Sequence, residues 1–75
     1  MELEKIKIIA SELMSRDISE LNAHTRFSRD LGMDSLDVYQ LIVEIEAYFN
    51  VDISDSAIER LKTIGDTAEL VKTLA

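Results

Sequence analysis

The 75-residue chain contains no cysteine, no proline and no tryptophan, and only two glycines. The absence of cysteine excludes disulfide bonds and cysteine-ligated metal sites. The absence of proline and the scarcity of glycine are typical of a helical chain, because both residues interrupt helices. No apolar run approaches the ~20 residues that a membrane-spanning helix requires. The stability of the chain must therefore come from the packing of helices around a small core.

The whole chain has a net charge of −7, and positive charge is missing from a large part of it. Residues 30–59 contain no Lys or Arg, and their acids are Asp30, Asp34, Asp37, Glu44, Glu46, Asp52, Asp55 and Glu59. Such a surface repels nucleic acid and anionic membranes, and it attracts basic partner proteins. The alternative is an acidic face that only maintains solubility. The first four residues include two glutamates and show no signal-peptide pattern, so we expect a cytoplasmic protein.

Apolar residues recur at helical spacing along most of the chain. A first helix is predicted over residues 2–15, with its apolar face formed by Leu3, Ile6, Ile9, Ala10, Leu13 and Met14. A second helix is predicted over 35–49, with a buried stripe of Val38, Leu41, Ile42, Ile45 and Phe49. Residues 16–34 are predicted to form a long loop without regular structure, held to the core by Ile18, Leu21, Phe27 and Leu31.

Two shorter helices are expected in the last third of the chain. Ser56 and Glu59 have the spacing of a capping box, which predicts a helix over 56–62. Asp66 and Glu69 have the same spacing and predict a helix over 67–75, with Gly65 ending the element before it. Three longer helices and one short one predict an all-α fold, an antiparallel four-helix bundle that forms a single domain over residues 1–75.

The sequence around Ser35 is the most informative part of the chain. Gly32 permits a tight turn, and Asp34 followed by Asp37 is a capping-box-like helix start. Ser35 would then lie on the first helical turn, beside free backbone N–H groups and the positive end of the helix dipole. Such a position is suited to a phosphate ester.

The triplet Asp34-Ser35-Leu36, preceded by Leu31-Gly32 and followed by an acidic amphipathic helix, resembles the acyl carrier proteins. The resemblance runs from Ile6 to Leu74. It implies that Ser35 carries 4′-phosphopantetheine from coenzyme A, attached by a phosphopantetheinyl transferase, with Asp34 and Leu36 as flanking cofactor-binding residues. It also implies a monomer that is not an enzyme. The chain would carry acyl thioesters to ligases, synthases or acyltransferases of fatty-acid, polyketide or related biosynthesis.

The resemblance further implies that the second helix contacts these partner enzymes. In the family the residue after the modified serine commonly makes such a contact, and here it is Leu36. Tyr39 and Val43 lie toward the same side, and all three are either partner contacts or ordinary residues at the edge of the core. Basic docking patches on the partners would meet the acids Asp34, Asp37, Glu44 and Glu46.

Acyl carrier proteins can also open their interior to shelter the acyl chain, at ~0.8 kcal/mol for each buried methylene. The residues expected to line it here are Val38, Leu41, Ile42, Ile53, Ile58, Leu61, Ile64 and Leu70. The alternative is that they form only a packed core. Because Asp34 flanks the site with a negative charge, we expect the phosphate of the arm to be held by bases of the partner.

Some residues of the second helix depart from the pattern that is commonest in fatty-acid synthesis. Gln40 and Ala47 replace acids, and Tyr39 is bulkier than the usual aliphatic residue, which predicts a specialised carrier with its own partners. Two alternatives remain. One is an aminoacyl or peptidyl carrier of the same fold, against which Gly32-Met33-Asp34 argues. The other is an unmodified helical adaptor.

Overall fold

The computed structural model describes residues 2–75, and these residues form five α-helices and one short 3₁₀ helix. The predicted all-α helical bundle is confirmed. The 3₁₀ helix covers Ile18–Glu20, and the α-helices are α1 (Glu2–Met14), α2 (Phe27–Leu31), α3 (Ser35–Phe49), α4 (Asp55–Ile58) and α5 (Ile64–Leu74).

Helix α1 packs against α3 and α5 through the apolar face that the sequence predicted. Ile6 and Ala10 are fully buried on this face. The helix ends at Met14, one residue earlier than predicted, because Ser15 adopts a left-handed conformation with φ 54°. The two other long helices contribute Leu41, Ile42, Ile45, Ile64 and Val71 to the core, and the shorter elements and connections add further buried residues.

The prediction that residues 16–34 lack regular structure is wrong, because α2 lies within them. The carboxylate of Asp30 accepts a hydrogen bond from the backbone N–H of Arg26 at 2.8 Å, which fixes the start of this helix. Gly32 ends it in a left-handed conformation with φ 66°. A five-residue helix is too short to show a hydrophobic period, and for that reason the pattern of apolar residues does not predict it. Leu21, Phe27 and Leu31 are buried as predicted. Ile18 is exposed, so the prediction that it holds the loop to the core is wrong.

Helix α4 is shorter than predicted and begins at a different cap. The hydroxyl of Ser54, not that of Ser56, accepts the backbone N–H of Ala57 at 3.2 Å. The helix therefore spans Asp55–Ile58 instead of 56–62.

Helix α5 begins three residues before its predicted start, because Thr63 is its N-cap. The Thr63 hydroxyl accepts the N–H of Asp66 at 3.0 Å, and the Asp66 carboxylate accepts the N–H of Thr63 at 3.1 Å. Gly65 lies in the first turn instead of ending the preceding element. A Cβ at Gly65 would lie 2.7 Å from the carbonyl oxygen of Ala23, so this close approach requires glycine.

The loop before α2 and the segment before α5 pair as two short extended stretches. Arg26 and Thr63 form an isolated antiparallel β-bridge. The backbone N–H of Phe27 donates to the carbonyl of Lys62 at 3.0 Å, and that of Ile64 donates to the carbonyl of Thr25 at 3.1 Å. This pairing brings two segments that are distant in sequence to the same place, next to the start of α3.

Candidate functional site

Ser35 is the first residue of α3, as the sequence predicted, and its side chain is exposed. The Asp34 carboxylate accepts the N–H of Asp37 at 2.9 Å, and the Asp37 carboxylate accepts the N–H of Asp34 at 3.1 Å. This reciprocal pair is the capping box that the sequence indicated. The first N–H groups of a helix have no partner within the helix. The exposed Ser35 thus lies at a capped helix start, between the positive end of the helix dipole and the negative carboxylates of Asp34 and Asp37.

A cleft of about 420 Å³ opens beside Ser35, between α2, the start of α3 and the end of α4. Its volume lies within the range of roughly 300–1,000 Å³ that is usual for small-ligand sites. The apolar residues that line it are Phe27, Met33, Val38, Ile58 and Leu61. The polar residues that line it are Arg26, Ser28, Asp34, Ser35, Glu59 and Lys62.

Three of the eight residues that were expected to line an acyl-chain pocket, Val38, Ile58 and Leu61, lie in this cleft. The other five lie within the core or pack against it: Leu41, Ile42, Ile53, Ile64 and Leu70. Sequence reasoning assigned Phe27 to the core only and did not consider Met33, yet both line the cleft. The resemblance contained a signal for Phe27, because acyl carrier proteins have a Phe shortly before Asp-Leu-Gly in the same loop, as Phe27 stands before Asp30-Leu31-Gly32 here.

The outer face of α3 presents an apolar stripe to solvent. Leu36, Tyr39 and Val43 are 76%, 52% and 44% exposed, and their spacing places them on one side of the helix. Of the two open interpretations of these residues, the edge of the core and a contact surface, this exposure favours the second. The side chain of Glu44 is also exposed, with an oxygen 3.4 Å from the side-chain nitrogen of Gln40.

The remaining acids of α3 have structural roles. Asp37 is half-buried in the capping box. Glu46 is also half-buried, and its Oε2 accepts the backbone N–H of Ile53 at 2.8 Å. This hydrogen bond attaches α3 to the segment that precedes α4. Glu46 therefore has a partner within the chain, which the sequence did not reveal because the two residues belong to different elements.

Other parts of the described chain offer little further chemistry. His24 lines a separate cavity of about 240 Å³ that does not include Ser35. Residues 2–75 contain no group of three or more His, Asp or Glu side chains that could hold a metal ion. Across the same residues, none of the helices combines the length and the hydropathy that crossing a lipid bilayer demands.

Comparison with known proteins identifies the family. The family model for the phosphopantetheine attachment site matches residues 4–71. The acyl carrier protein of Phytoplasma australiense is 46% identical over 66 residues, which cover 88% of this chain and 87% of the relative. The chain belongs to the acyl carrier protein family. The acyl carrier protein of Onion yellows phytoplasma is 42% identical over the same shares of the two chains.

Solved structures of acyl carrier proteins have the same fold. The crystal structure of the acyl carrier protein of Thermotoga maritima superimposes with a TM-score of 0.81 at 31% identity, covering 99% of this chain and 91% of that one. A chain from Mycobacterium tuberculosis that is assigned to the acyl carrier proteins gives a TM-score of 0.90 at 32% identity, over 97% of both chains. The resemblance that Asp34-Ser35-Leu36 indicated is confirmed, and so are the carrier function and the phosphopantetheine cofactor. Membership also implies that this acyl carrier protein interacts with biosynthetic enzymes.

Proposed function

We propose that Ser35 carries the phosphopantetheine arm and that the chain presents acyl thioesters to the enzymes of fatty-acid synthesis or a related pathway. The observation that carries this proposal is the exposed Ser35 hydroxyl at the first residue of α3, beside an apolar cleft. Asp34 and Leu36 flank the hydroxyl and present the site to a transferase. The arm supplies the thiol on which acyl groups are carried.

Attachment of the arm is a phosphoryl transfer in which this chain supplies the nucleophile. The Ser35 Oγ attacks the β-phosphorus of coenzyme A, and an oxygen–phosphorus bond forms. The bond from that phosphorus to the departing adenosine 3′,5′-bisphosphate breaks, and the hydroxyl proton passes to the transferase. The capping box of Asp34 and Asp37 holds Ser35 in place for this attack, while the transferase and its Mg²⁺ stabilise the charge that develops on the phosphate.

The cleft beside Ser35 is suited to receiving the first methylenes of a bound acyl chain. Each methylene that leaves water there contributes ~0.8 kcal/mol. Val38, Ile58 and Leu61 would make the first contacts. The five other expected pocket residues would join only if the core opens for a longer chain: Leu41, Ile42, Ile53, Ile64 and Leu70.

Partner enzymes would dock on the outer face of α3. The exposed stripe of Leu36, Tyr39 and Val43 supplies apolar area, and Glu44 supplies an exposed negative charge beside it. The carboxylates of Asp37 and Glu46 each accept a backbone N–H of the chain, so they would add negative charge to this face while keeping those hydrogen bonds. Asp37 adds its charge near Ser35, in the same helical turn. The phosphopantetheinyl transferase and the acyl ligases, synthases or acyltransferases of the pathway would meet this face with basic patches.

The proposal also covers the domain organisation, the location and the oligomeric state of the protein. Residues 1–75 would act as one carrier domain, a cytoplasmic monomer that catalyses nothing itself. The buried apolar residues form one cluster, which supports a single domain. Gln40, Ala47 and Tyr39 on α3 support a specialised partner set, and efficient turnover by a complete fatty-acid synthase would contradict that part of the proposal.

The attachment site is tested by incubating the protein with coenzyme A and a broad-specificity transferase, followed by intact-mass and peptide mass spectrometry. We expect the wild type to gain one arm on Ser35, and Ser35→Ala to gain none. Ser28→Ala is the matched control, because Ser28 is an exposed serine of the same cleft, and it should be loaded normally. An unmodified wild type would instead support the adaptor alternative, and loading of Ser35→Ala would place the arm on another residue.

A further inference from the structure

Two cationic side chains line the same cleft as Ser35. They are Arg26 and Lys62, and both residues are exposed. Within residues 2–75, the cations that lie within 4.0 Å of a carboxylate are those of Lys7 and Arg16. Arg26 and Lys62 therefore have no ion-pair partner in that part of the chain. Their positive charges are available at the cleft beside Ser35.

The backbone holds both cations at this cleft. Arg26 forms the β-bridge with Thr63, the residue after Lys62. The nearby carboxylates bind backbone groups: that of Asp30 accepts the N–H of Arg26 at 2.8 Å, and that of Asp66 accepts the N–H of Lys62 at 3.0 Å. These acids hold the main chain in position and leave the long side chains available to another anion.

Attachment of the arm would add an anion to a cleft that holds two cations. Asp34 and Glu59 also line the cleft, so its two cations and two carboxylates balance. A phosphodiester on Ser35 adds one negative charge directly beside Asp34. Arg and Lys bind phosphate oxygens through charge-assisted hydrogen bonds, and two such residues line the cleft at which the charge would be added.

We propose that Arg26 and Lys62 hold the phosphodiester of the Ser35-bound arm and so keep the arm over the cleft. The inference rests on the proposed attachment at Ser35. It differs from the expectation that only bases of the partner hold the phosphate. A basic patch on a docked enzyme would compete with Arg26 and Lys62 for the same anion, which provides a way to release the arm on docking.

The first measurement compares side-chain and ³¹P NMR signals before and after loading. On loading, the side-chain nitrogen signals of Arg26 and Lys62 should shift more than those of Arg29 and Arg60, two exposed cations that do not line the cleft. In the double variant Arg26→Gln/Lys62→Gln the ³¹P signal should move toward its position in the urea-unfolded protein. The matched control Arg29→Gln/Arg60→Gln should keep the wild-type ³¹P signal.

A second measurement uses the absence of cysteine. A thiol-specific spin label can react only with the arm, so the amides that it broadens report where the arm lies. We expect broadening at cleft residues such as Ser28 and Val38 in the wild type and in the control variant. In Arg26→Gln/Lys62→Gln this broadening should fall to the level seen on α1, while unchanged amide positions elsewhere show that the fold is intact.

The outcomes separate this inference from the proposed function. If mass spectrometry shows no arm on Ser35, both are overturned. If Ser35 is loaded but the ³¹P signal and the broadening are the same in both double variants, only the role of Arg26 and Lys62 is overturned.

Discussion

The Glu46 carboxylate is predicted to stabilise the fold more than any other acid of α3. Its Oε2 accepts the backbone N–H of Ile53 at 2.8 Å, and Ile53 is only 7% exposed. The replacement Glu46→Ala removes the acceptor and leaves a buried N–H without a partner. It also releases the segment that leads into α4, and α4 carries Ile58, which lines the cleft.

The size of the effect follows from the burial of the two groups. Leaving a buried donor unsatisfied costs about 1–3 kcal/mol. Because Glu46 is only half-buried, water can replace part of the lost contact, and we expect about 1–2 kcal/mol. A chain of this size has a free energy of unfolding of roughly 4–11 kcal/mol. The loss should therefore lower Tm by roughly 5–15 °C.

The assay is urea unfolding followed by circular dichroism, combined with hydrogen exchange of the Ile53 amide. Glu44→Ala is the matched control, because Glu44 is an exposed acid of the same helix and its removal should change stability by no more than about 0.5 kcal/mol. Glu46→Gln keeps an acceptor oxygen and should lose less than Glu46→Ala. The reasoning is refuted if Glu46→Ala and Glu44→Ala unfold at the same urea concentration, or if Ile53 exchanges at the wild-type rate in Glu46→Ala.

Three further predictions concern docking, backbone conformation and pH. Glu44→Lys should slow loading by the transferase several-fold at low salt. Glu69→Lys on α5 makes the same charge change and should leave the loading rate unchanged. Equal slowing by the two variants would contradict docking on α3. Gly32→Ala should lower the free energy of unfolding in urea by about 1 kcal/mol, and the cause is the backbone angle φ of +66°, since an added Cβ would meet no atom within 4 Å. Gly32→Asn should lower it less, because Asn tolerates this conformation better. Equal losses in the two variants would disprove a backbone origin. The backbone N–H and the hydroxyl of Ser19 donate hydrogen bonds to the Asp17 carboxylate, and these bonds hold the pKa of Asp17 below the ordinary 3.8. Ionised Asp17 therefore stabilises the fold at neutral pH. This contribution is lost as the pH falls through the lowered pKa. In Ser19→Ala a ¹³C carboxyl titration should show that pKa rising toward 3.8, and an unchanged value would exclude the hydroxyl as a cause.

The sequence was most informative where local rules and packing agree. The bounds of α3 were predicted to the residue, because the Asp34 cap marks its start and a buried stripe runs to Phe49. The helix ends there because Asn50 adopts a left-handed conformation, which Asn tolerates better than most residues. Helix α1 was predicted nearly as well, since one apolar face runs along its whole length.

Local rules failed where a tertiary contact decides between two candidate caps. Thr63 and Asp66 fit the capping-box pattern as well as Asp66 and Glu69 do. The chain uses the first pair because the segment before α5 pairs with the loop before α2, and the N–H of Gly65 donates to the carbonyl of Ala23 at 2.9 Å. The rule that glycine ends a helix gave the wrong start for α5, since this glycine is required by close packing.

The site was predictable in part for the same reason. Ser35 and its cap are neighbours in sequence, so the Asp-Ser-Leu motif located them. Arg26 and Lys62 are separated by more than thirty residues, and neither belongs to a motif. Only the pairing of their segments places them beside Ser35, and no periodic pattern reports such a contact.

The pairing of residues 25–27 with 62–64 has a consequence for the order of folding. Closing a loop of that length is entropically expensive, so we expect these hydrogen bonds to form only after the long helices have docked. The helix start at Ser35 depends on contacts over a few residues and needs no such closure. A nascent molecule would therefore display Ser35, the proposed attachment point, before the neighbouring recess exists, and early modification would leave the arm with nowhere to rest until folding is finished.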